Sequence, residues 1–530
     1  MGILIGRRKL LGLMGLTSLA VALPKTVFGK SKEKSGDLSP ELKKTTAYKY
    51  RPISPSFADE VRLSPDLEYR LLVSEGESIG NGIKFGACND FNAFLGNGEN
   101  SGYLWTNHES VNPYLFSKYR DGGDRTKLQV DNEKKMVGGS YYKIKKEKGW
   151  WKVDSNTIDN FRVDATTPIP LISDRPIRGS KNAVGSLANC SGGTTPWGTI
   201  LTCEENYDGY AGEYVYELGK HNPNKIVAGK YGWQPGGPME PEHYGWVVEV
   251  DPKTKSSKKL TSIGRFAHEC ATVVQAKDGR CVVYTGDDTD NECLYKFVAS
   301  KKGSLEEGEL FVANMKKGRW ESLRYDKQKK LRKKFEDQTE VLIRCREASK
   351  IVGGSPLDRP EDIEVHPKDG SILVALTNNK SRLNYSGSIL QIFEKDGDYL
   401  SDRFEHKTFL TGGKDMGFAC PDNLAFDKSG DLWFTTDISE GQISKFPYEY
   451  HGNNALFHVP MSGHGAGIPV RVATAPVDSE FTGPCFSDDG ETLFLSVQHP
   501  GNSATTDKMT SHWPNGGKSE PKSSVIQIRV

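Results

Sequence analysis

Carboxylate, amide and thiol side chains recur beside short apolar runs throughout this sequence. The candidates, in chain order, are Asn107, His108, Glu109, Cys190, Glu204, Glu205, His268, Glu269, Asp287, Asp288, Arg359, Glu361, Asn378, Asn379, Asp422, Asp437, Gln498 and His499. Carboxylate and amide oxygens are the ligands that Ca²⁺ and Mg²⁺ prefer, whereas a thiolate favours iron or zinc. Clustered carboxylates repel one another unless cations neutralise them. The set therefore predicts a mixed-metal site, provided that the fold brings its members together.

Each of these residues also has a simpler interpretation. Asp and Asn are common in turns, and a single cysteine is usually a small buried apolar residue. A disulfide between Cys190 and Cys203 is an alternative to a metal-bound thiolate. Neighbouring residues in a strand point to opposite faces, so the sequence leaves open whether Glu204 or Glu205 faces a metal. Only the joint recurrence of these groups predicts a site.

The elements that would position these groups are β-hairpins. Six segments share the pattern of a strand, a polar turn and a second strand, which is typical of hairpins. Their turn glycines are Gly102, Gly198, Gly279, Gly370, Gly430 and Gly490, and the last three are 60 residues apart. Six copies of a four-stranded unit predict an all-β fold, a six-bladed β-propeller. The even spacing disfavours the alternative, an irregular β-sandwich.

Hairpin geometry predicts where the candidate side chains meet. The start of a hairpin's first strand and the end of its second lie at the same edge, and these edges can surround the central channel of a propeller. The repeat is uneven in its first half, so we expect loop insertions mainly in the N-terminal half, the largest over residues 208–244. The C-terminal run SSVIQIRV is expected to close the ring by pairing with an early strand.

The N-terminus carries a targeting signal. Arg7 and Arg8 precede an apolar run and resemble a twin-arginine export signal; an ordinary signal peptide or an uncleaved anchor is the alternative. We divide the chain into a signal peptide (1–29), an N-terminal extension (30–74) and a propeller domain (75–530). Export predicts a periplasmic or extracellular protein, with the twin-arginine translocase as a transient partner and no stable membrane association after cleavage.

The overall charge argues against one class of partner. Lys and Arg number 70 against 69 Asp and Glu, a net charge of +1. Such a balance supplies no strong field for nucleic acid or anionic membranes. We therefore expect no nucleic-acid partner.

Longer motifs resemble the PhoX-type alkaline phosphatases. They are NCSGGTTPWGTILTCEEN, RFAHE, YTGDDTDNECLYKFV, RPEDIEVHP, LTNN, PDNLAFDKSGDLWFTTD and TGPCFSDDGETLFLSVQHPG. They follow the order of the family and cover most of the chain after about residue 75. Cys420 stands where a small residue is expected, and Asn423 where the family usually has Gly. These two departures affect fine positioning rather than the class.

The resemblance implies a propeller that holds ferric iron and calcium around a bridging oxo group. By motif, Cys190 would be a thiolate ligand of iron, Glu269 would ligate metal, and Arg359 would bind the substrate phosphate. Glu361 would be both a metal ligand and a catalytic residue. The remaining expected metal ligands are Glu109, Glu204, Glu205, Asp287 and Asp422. The implied reaction is hydrolysis of small phosphate monoesters, with diesters left open, by a metal-bridging oxo or hydroxide nucleophile.

Three other functions compete with this interpretation. A calcium-dependent propeller lactonase would need one calcium site and no thiolate ligand. A non-catalytic propeller could use the same acids to hold structural calcium. A propeller phytase is also a calcium-dependent phosphatase, but it lacks the NCSGG pattern that begins at Asn189.

Overall fold

The predicted six-bladed β-propeller is confirmed. The structure, a computed structural model, describes residues 48–119, 125–217, 220–505 and 507–530. The predicted signal peptide and the first part of the predicted extension, up to residue 47, lie outside the described residues. Six sheets of four to six strands form the blades, here named A to F in chain order.

Four strands precede the first blade. They are β1 (Arg62–Leu63), β2 (Glu68–Ser74), β3 (Ser78–Gly80) and β4 (Ile83–Lys84). Strands β3 and β4 pair with each other. Strands β1 and β2 join the outer edges of the last two blades, so this part of the predicted N-terminal extension contributes to propeller sheets.

Blades A and B carry the N-terminal insertions. Blade A consists of β5 (Asn89–Gly96), β6 (Ser101–His108), then α1 (Pro113–Phe116) and α2 (Lys127–Lys134) as an insertion, and β7 (Gly138–Glu147), β8 (Trp150–Val153) and β9 (Phe161–Val163). Blade B consists of β10 (Pro168–Ile172), β11 (Asn182–Val184), β12 (Asn189–Thr194), β13 (Ile200–Glu204), an insertion with α3 (Asp208–Ala211), β14 (Glu213–Glu217) and β15 (Lys220–Val227), and finally β16 (Val247–Asp251) and β17 (Ser256–Leu260).

Blade C and blade D are separated by a helical insertion. Blade C consists of β18 (Thr272–Gln275), β19 (Cys281–Gly286), β20 (Leu294–Ala299), β21 (Gly308–Asn314) and β22 (Arg319–Ser322), followed by α4 (Lys329–Arg332), α5 (Gln338–Ile343) and α6 (Cys345–Val352). Blade D consists of β23 (Pro360–Val365), β24 (Ile372–Leu376), β25 (Ser388–Glu394) and β26 (Phe404–Thr411).

The last two blades combine both ends of the described chain. Blade E consists of β27 (Pro421–Phe426), β28 (Leu432–Thr436), β29 (Ala455–Val459) and β30 (Val470–Thr474), with β1 at its edge. Blade F consists of β31 (Glu480–Phe486), β32 (Thr492–Gln498) and β33 (Ser524–Arg529), with β2 at its edge. Strand β33 pairs antiparallel with β2, from Glu68 opposite Arg529 to Ser74 opposite Ser524, which confirms the predicted closure of the ring.

Five of the six predicted turn glycines occupy hairpin turns. Each has a positive φ, between 70° and 87°, a region that glycine enters at little cost. The exception is Gly102, which lies inside β6. The turn of blade A is instead at Gly98, with φ 99°, where the Ser101 amide donates to the Gly98 carbonyl.

Buried apolar side chains hold neighbouring blades together. Each of the six junctions contains such a cluster. Trp105 of blade A packs with Val250 of blade B, and at the closing junction Phe494 of blade F packs with Tyr142 of blade A. Burying such area is the main stabilising term of the fold. None of the described helices is long and apolar enough to cross a membrane.

Candidate metal centre

The innermost strand of every blade, which is the first strand of its hairpin, lines the central channel. Strands β5, β12, β18, β23, β27 and β31 contact one another in a closed ring. Each pairs antiparallel with the second hairpin strand, so the start of one and the end of the other share one end of the channel. The groups at this end that interact electrostatically with one another, here called the central cluster, are Asp90, Glu109, Cys190, Glu205, Glu269, Asp288, Glu361, Asp422, Asp437 and Glu480.

A recurring backbone conformation directs the cluster residues of the innermost strands into the channel. In five blades the residue two positions before the cluster residue is a non-glycine with positive φ: Cys88 (40°), Ala188 (53°), Arg359 (55°), Cys420 (53°) and Asp478 (52°). A shift in the pairing register follows shortly after each one. Such bulges re-aim side chains next to functional sites, and left-handed non-glycine residues concentrate there.

Two overlapping groups of the cluster have the spacing of a metal site. Ligand atoms of Cys190, Glu205 and Glu269 all lie within 4.8 Å of one another, and so do those of Glu269, Glu361 and Asp422. The Cys190 Sγ lies 3.1 Å from Glu269 Oε1 and 3.2 Å from Asp90 Oδ2. Because Glu269 belongs to both groups, the two form one contiguous set of ligands.

Arg359 contacts the cluster at the end of the channel. Its Nε and Nη2 donate to the two Asp288 oxygens at 2.7 and 2.8 Å, and Nη2 lies 2.8 Å from Glu361 Oε1. Its side chain is 22% exposed, so the guanidinium is held by carboxylates but remains within reach of a ligand in the channel.

Polar side chains fix several of the carboxylates. Gln498 Nε2 donates to Asp90 Oδ2 at 3.0 Å and to Glu109 Oε2 at 2.9 Å. The Thr377 hydroxyl donates to Glu361 Oε1 at 2.7 Å. His499 Nε2 lies 2.8 Å from Glu480 Oε1. These contacts restrict the orientations of the carboxylates.

The charge balance of the cluster calls for cations. Burial, and then the neighbouring carboxylates, raise the pKa of Glu205 and Glu269 well above the usual range. Burial and then Glu109 raise the pKa of Asp90 to about 8. Burial by itself would raise the pKa of Asp288, but the neighbouring Arg359 guanidinium holds this pKa below its usual value. Asp90 Oδ1 is buried without a hydrogen-bond partner among the described residues. The cluster offers oxygen donors and one thiol but has too few positive charges to balance them. Such a donor set fits a mixed set of polyvalent cations.

Two of the expected ligands lie outside the cluster. Glu204 Oε1 pairs with Lys259 Nζ at 2.7 Å, and both side chains are fully buried. Glu204 Oε2 accepts from the amides of Gly245 and Trp246. Asp287 is paired with Arg346 at 2.6 and 2.8 Å. In each doublet the following residue, Glu205 or Asp288, belongs to the cluster instead, because consecutive residues leave the strand on opposite faces.

The other polar candidates have structural contacts. His108 Nε2 lies 2.7 Å from the Ser140 hydroxyl, and His268 lies between Thr285 and the Gly264 carbonyl. Asn107 donates to the carbonyls of Cys190 and Ser191 at 2.6 and 3.0 Å, so it positions the strand that carries the thiol.

The sequence reasoning missed Asp90 and Glu480 and passed over Asp288 and Asp437 as ligands. A signal for the first two existed. Asp90 ends Cys-Asn-Asp and Glu480 ends Asp-Ser-Glu, at the same offset from the left-handed residue as Asp422 in Cys-Pro-Asp.

The alternative disulfide is not formed. All nine cysteines are within the described residues, and all are free thiols. Cys203 is fully buried in the apolar cluster between blades B and C, while Cys190 faces the channel carboxylates. The Cys190 thiol is therefore available as a ligand.

Comparisons with known proteins identify the family. The family described as alkaline phosphatase PhoX matches residues 48–501. Pseudomonas fluorescens PhoX in complex with vanadate, a transition state analogue, is similar in structure, with a TM-score of 0.80 and 28% sequence identity over 91% of this chain and 97% of that chain.

Other likenesses are much weaker. A protein of unknown function from Dyadobacter fermentans has a TM-score of 0.41 and 10% identity, over 88% of this chain and 100% of that chain. A gluconolactonase from Xanthomonas campestris has a TM-score of 0.33 and 8% identity, over 91% and 99% of the two chains. A sequence comparison with curated proteins gives no match. The family match and the central cluster agree with the sequence motifs, and the chain belongs to the PhoX family of alkaline phosphatases.

Proposed function

We propose that this phosphatase hydrolyses phosphate monoesters outside the cytoplasm, at an iron- and calcium-containing centre built on the central cluster. The observation that supports it most directly is the juxtaposition of Arg359 with Glu361 and the two overlapping ligand groups. A phosphate-binding guanidinium beside a polyvalent cation site is the arrangement that phosphoryl transfer needs.

The donor types suggest how the ions are divided. Cys190, Glu205 and Glu269 would hold iron, because only this group offers a thiolate. Glu269, Glu361 and Asp422 would hold calcium, since all their donors are oxygens. Glu109 and Asp90 lie close enough to extend the oxygen-ligand set, because Gln498 bridges them. Bound cations would neutralise the phosphoryl oxygens and activate water for attack.

Arg359 would bind and orient the substrate. Its planar guanidinium can donate paired hydrogen bonds to phosphoryl oxygens, which a lysine cannot copy. Asp288 accepts hydrogen bonds from Nε and Nη2 of Arg359, so it would hold the guanidinium in one orientation. Glu361 would have two roles. It would ligate a metal ion, and it would be a second carboxylate that positions Arg359.

The vanadate complex of the Pseudomonas fluorescens protein supports the phosphoryl-transfer assignment. Vanadate there is described as a transition state analogue, and 28% identity over nearly the whole fold favours a shared reaction. The paired arginines near the N-terminus support export by the twin-arginine route and a periplasmic or extracellular site of action.

The test uses the mature chain, residues 30–530, purified without added metal. We expect iron and calcium in elemental analysis, hydrolysis of a chromogenic phosphate monoester, and loss of this activity in a chelator. A chromogenic diester assayed in parallel measures the monoester preference. Calcium without iron would contradict the mixed centre, and a metal-loaded protein without phosphatase activity would contradict the function.

A further inference from the structure

A second group of possible metal ligands lies away from the central cluster, at the hairpin turn of blade E. Ligand atoms of Asp427, Asp431 and His458 lie within 4.8 Å of one another. The two aspartates flank the turn at Gly430, and His458 reaches it from β29, where it pairs with Trp433. The reaction proposed above uses none of these residues.

His458 is the observation that separates this group from an ordinary acidic turn. Its side chain is 1% exposed, and its Nε2 has no hydrogen-bond partner among the described residues. Nε2 nevertheless lies 3.3 Å from Asp431 Oδ2. The nitrogen and the oxygen are within ion-pair distance but lack hydrogen-bond geometry, and two ligands of one ion can also lie this far apart. Ligands of a tetrahedral zinc ion, with bonds of about 2.0–2.2 Å, lie roughly 3.3–3.5 Å apart.

Blade D shows what the same positions do without a metal. Ser371 directly follows the turn glycine of blade D, as Asp431 follows that of blade E. Gln391 pairs with the residue three positions after that glycine, as His458 does in blade E. There Gln391 Nε2 donates to the Ser371 hydroxyl at 2.8 Å, a neutral and satisfied pair. Blade E replaces this pair with an imidazole and a carboxylate.

The surroundings favour a cation. Asp427 lies 3.1 Å from Lys49 Nζ, but this lysine side chain is 47% exposed and is free to leave. The Tyr50 ring packs edge-on against the His458 ring at 5.1 Å, and its buried hydroxyl has no partner in the described part of the chain. Asp427 also lines a cavity of about 500 Å³.

We propose that Asp427, Asp431 and His458 form a peripheral site for one divalent transition-metal ion, with Zn²⁺ as the best match. Imidazole nitrogen and carboxylate oxygen are both zinc donors, and water would complete a tetrahedral site. The ion would displace Lys49 from Asp427 and join the turn to β29.

The test compares the zinc content of the mature protein with that of a matched double variant. Asp431→Ser combined with His458→Gln copies the pair of blade D, so it is expected to fold. Both proteins are loaded with zinc chloride, desalted and analysed for zinc, iron and calcium. We expect the double variant to lose one zinc equivalent per chain, while iron, calcium and phosphatase activity stay unchanged. Equal zinc in the two proteins would overturn the proposal.

Two further variants serve as controls for this experiment. His458→Gln alone must also lose the zinc equivalent, which covers failure of the double variant to fold. Lys49→Met removes the competing ammonium, and calorimetric titration with zinc chloride should show tighter binding by about tenfold or more. Weaker zinc binding by Lys49→Met would contradict the site. Because zinc stoichiometry is the readout, failure here is distinct from failure of the phosphatase assignment.

Discussion

Glu204 and Glu205 are adjacent in the chain but lie in two different electrostatic environments. Glu204 belongs to the interior of blade B, where it forms a fully buried pair with Lys259, as Glu394 does with Lys296. Glu205 belongs to the central cluster, where nine carboxyl groups share the charge of Arg359. The blades thus provide Glu204 and Glu394 each with a cation of its own, while the channel leaves a deficit of positive charge.

This difference separates structural acids from functional ones. A buried acid with a matched basic partner contributes to folding and needs nothing else. Burial among like charges raises the carboxyl pKa values. The repulsion between the carboxylates is relieved when polyvalent cations bind. The deficit, rather than the presence of acids, marks the site.

The largest expected effect concerns the blade interior. Glu204→Gln leaves the Lys259 ammonium buried without its partner and should lower the free energy of unfolding by about 3–5 kcal/mol. Metal content and turnover per folded molecule should not change. Urea unfolding and elemental analysis check both expectations. Loss of metal with unchanged stability would instead place Glu204 in the metal centre.

Arg359→Ala should reduce kcat/KM by the equivalent of about 2–4 kcal/mol, because one preorganised donor to the developing charge is removed. Steady-state kinetics with a chromogenic monoester measure it. Arg359→Lys is the matched control. It keeps the charge but not the paired donors, so most of the loss should remain. Unchanged kcat/KM in the alanine variant would remove Arg359 from the substrate site.

Cys190→Ser should lower iron content and activity together, with activity falling by at least about 10–100-fold, the range for residues that only orient a metal ligand. Cys203→Ser is the control, because that thiol lies in the apolar core between blades B and C. It should lose stability but keep its iron. Full iron and full turnover in Cys190→Ser would show that the thiolate is not a ligand.

Removal of the metals should make stability fall as pH rises. Burial raises the folded pKa of Asp90 to about 8, above its unfolded value of about 3.9. The unfolded state therefore binds fewer protons than the folded state between these values, and stability is lost as pH rises through this window. The slope should be roughly 1.4 kcal/mol per pH unit for each such carboxyl. Chemical unfolding of chelated protein from pH 5 to 8 tests it. A metal-free protein that gains stability with pH would contradict the charge deficit.

The sequence predicted the fold because the hairpins repeat at a regular interval and their turns need glycine. It could not choose between Glu204 and Glu205, since the choice depends on Lys259, which arrives with β17 and is invisible from the local pattern. The same holds for Asp287, whose partner Arg346 comes from α6. Asp90 was missed for a different reason. With the turn of blade A placed at Gly102 rather than Gly98, the first strand of that hairpin was not aligned with its counterparts.

The pairing of β2 with β33 has a consequence for how the central cluster is assembled. Blade F brings Glu480 and Gln498 to the central cluster, and its sheet is completed by strands from both ends of the chain. A nascent chain that lacks residues 524–529 leaves β2 without a partner and the closing blade incomplete. We expect the ring then to stay open, with the groups of the central cluster no longer held at their observed spacing. Assembly of the central cluster therefore depends on a pairing between segments 450 residues apart in the chain, as Ser74 and Ser524 are.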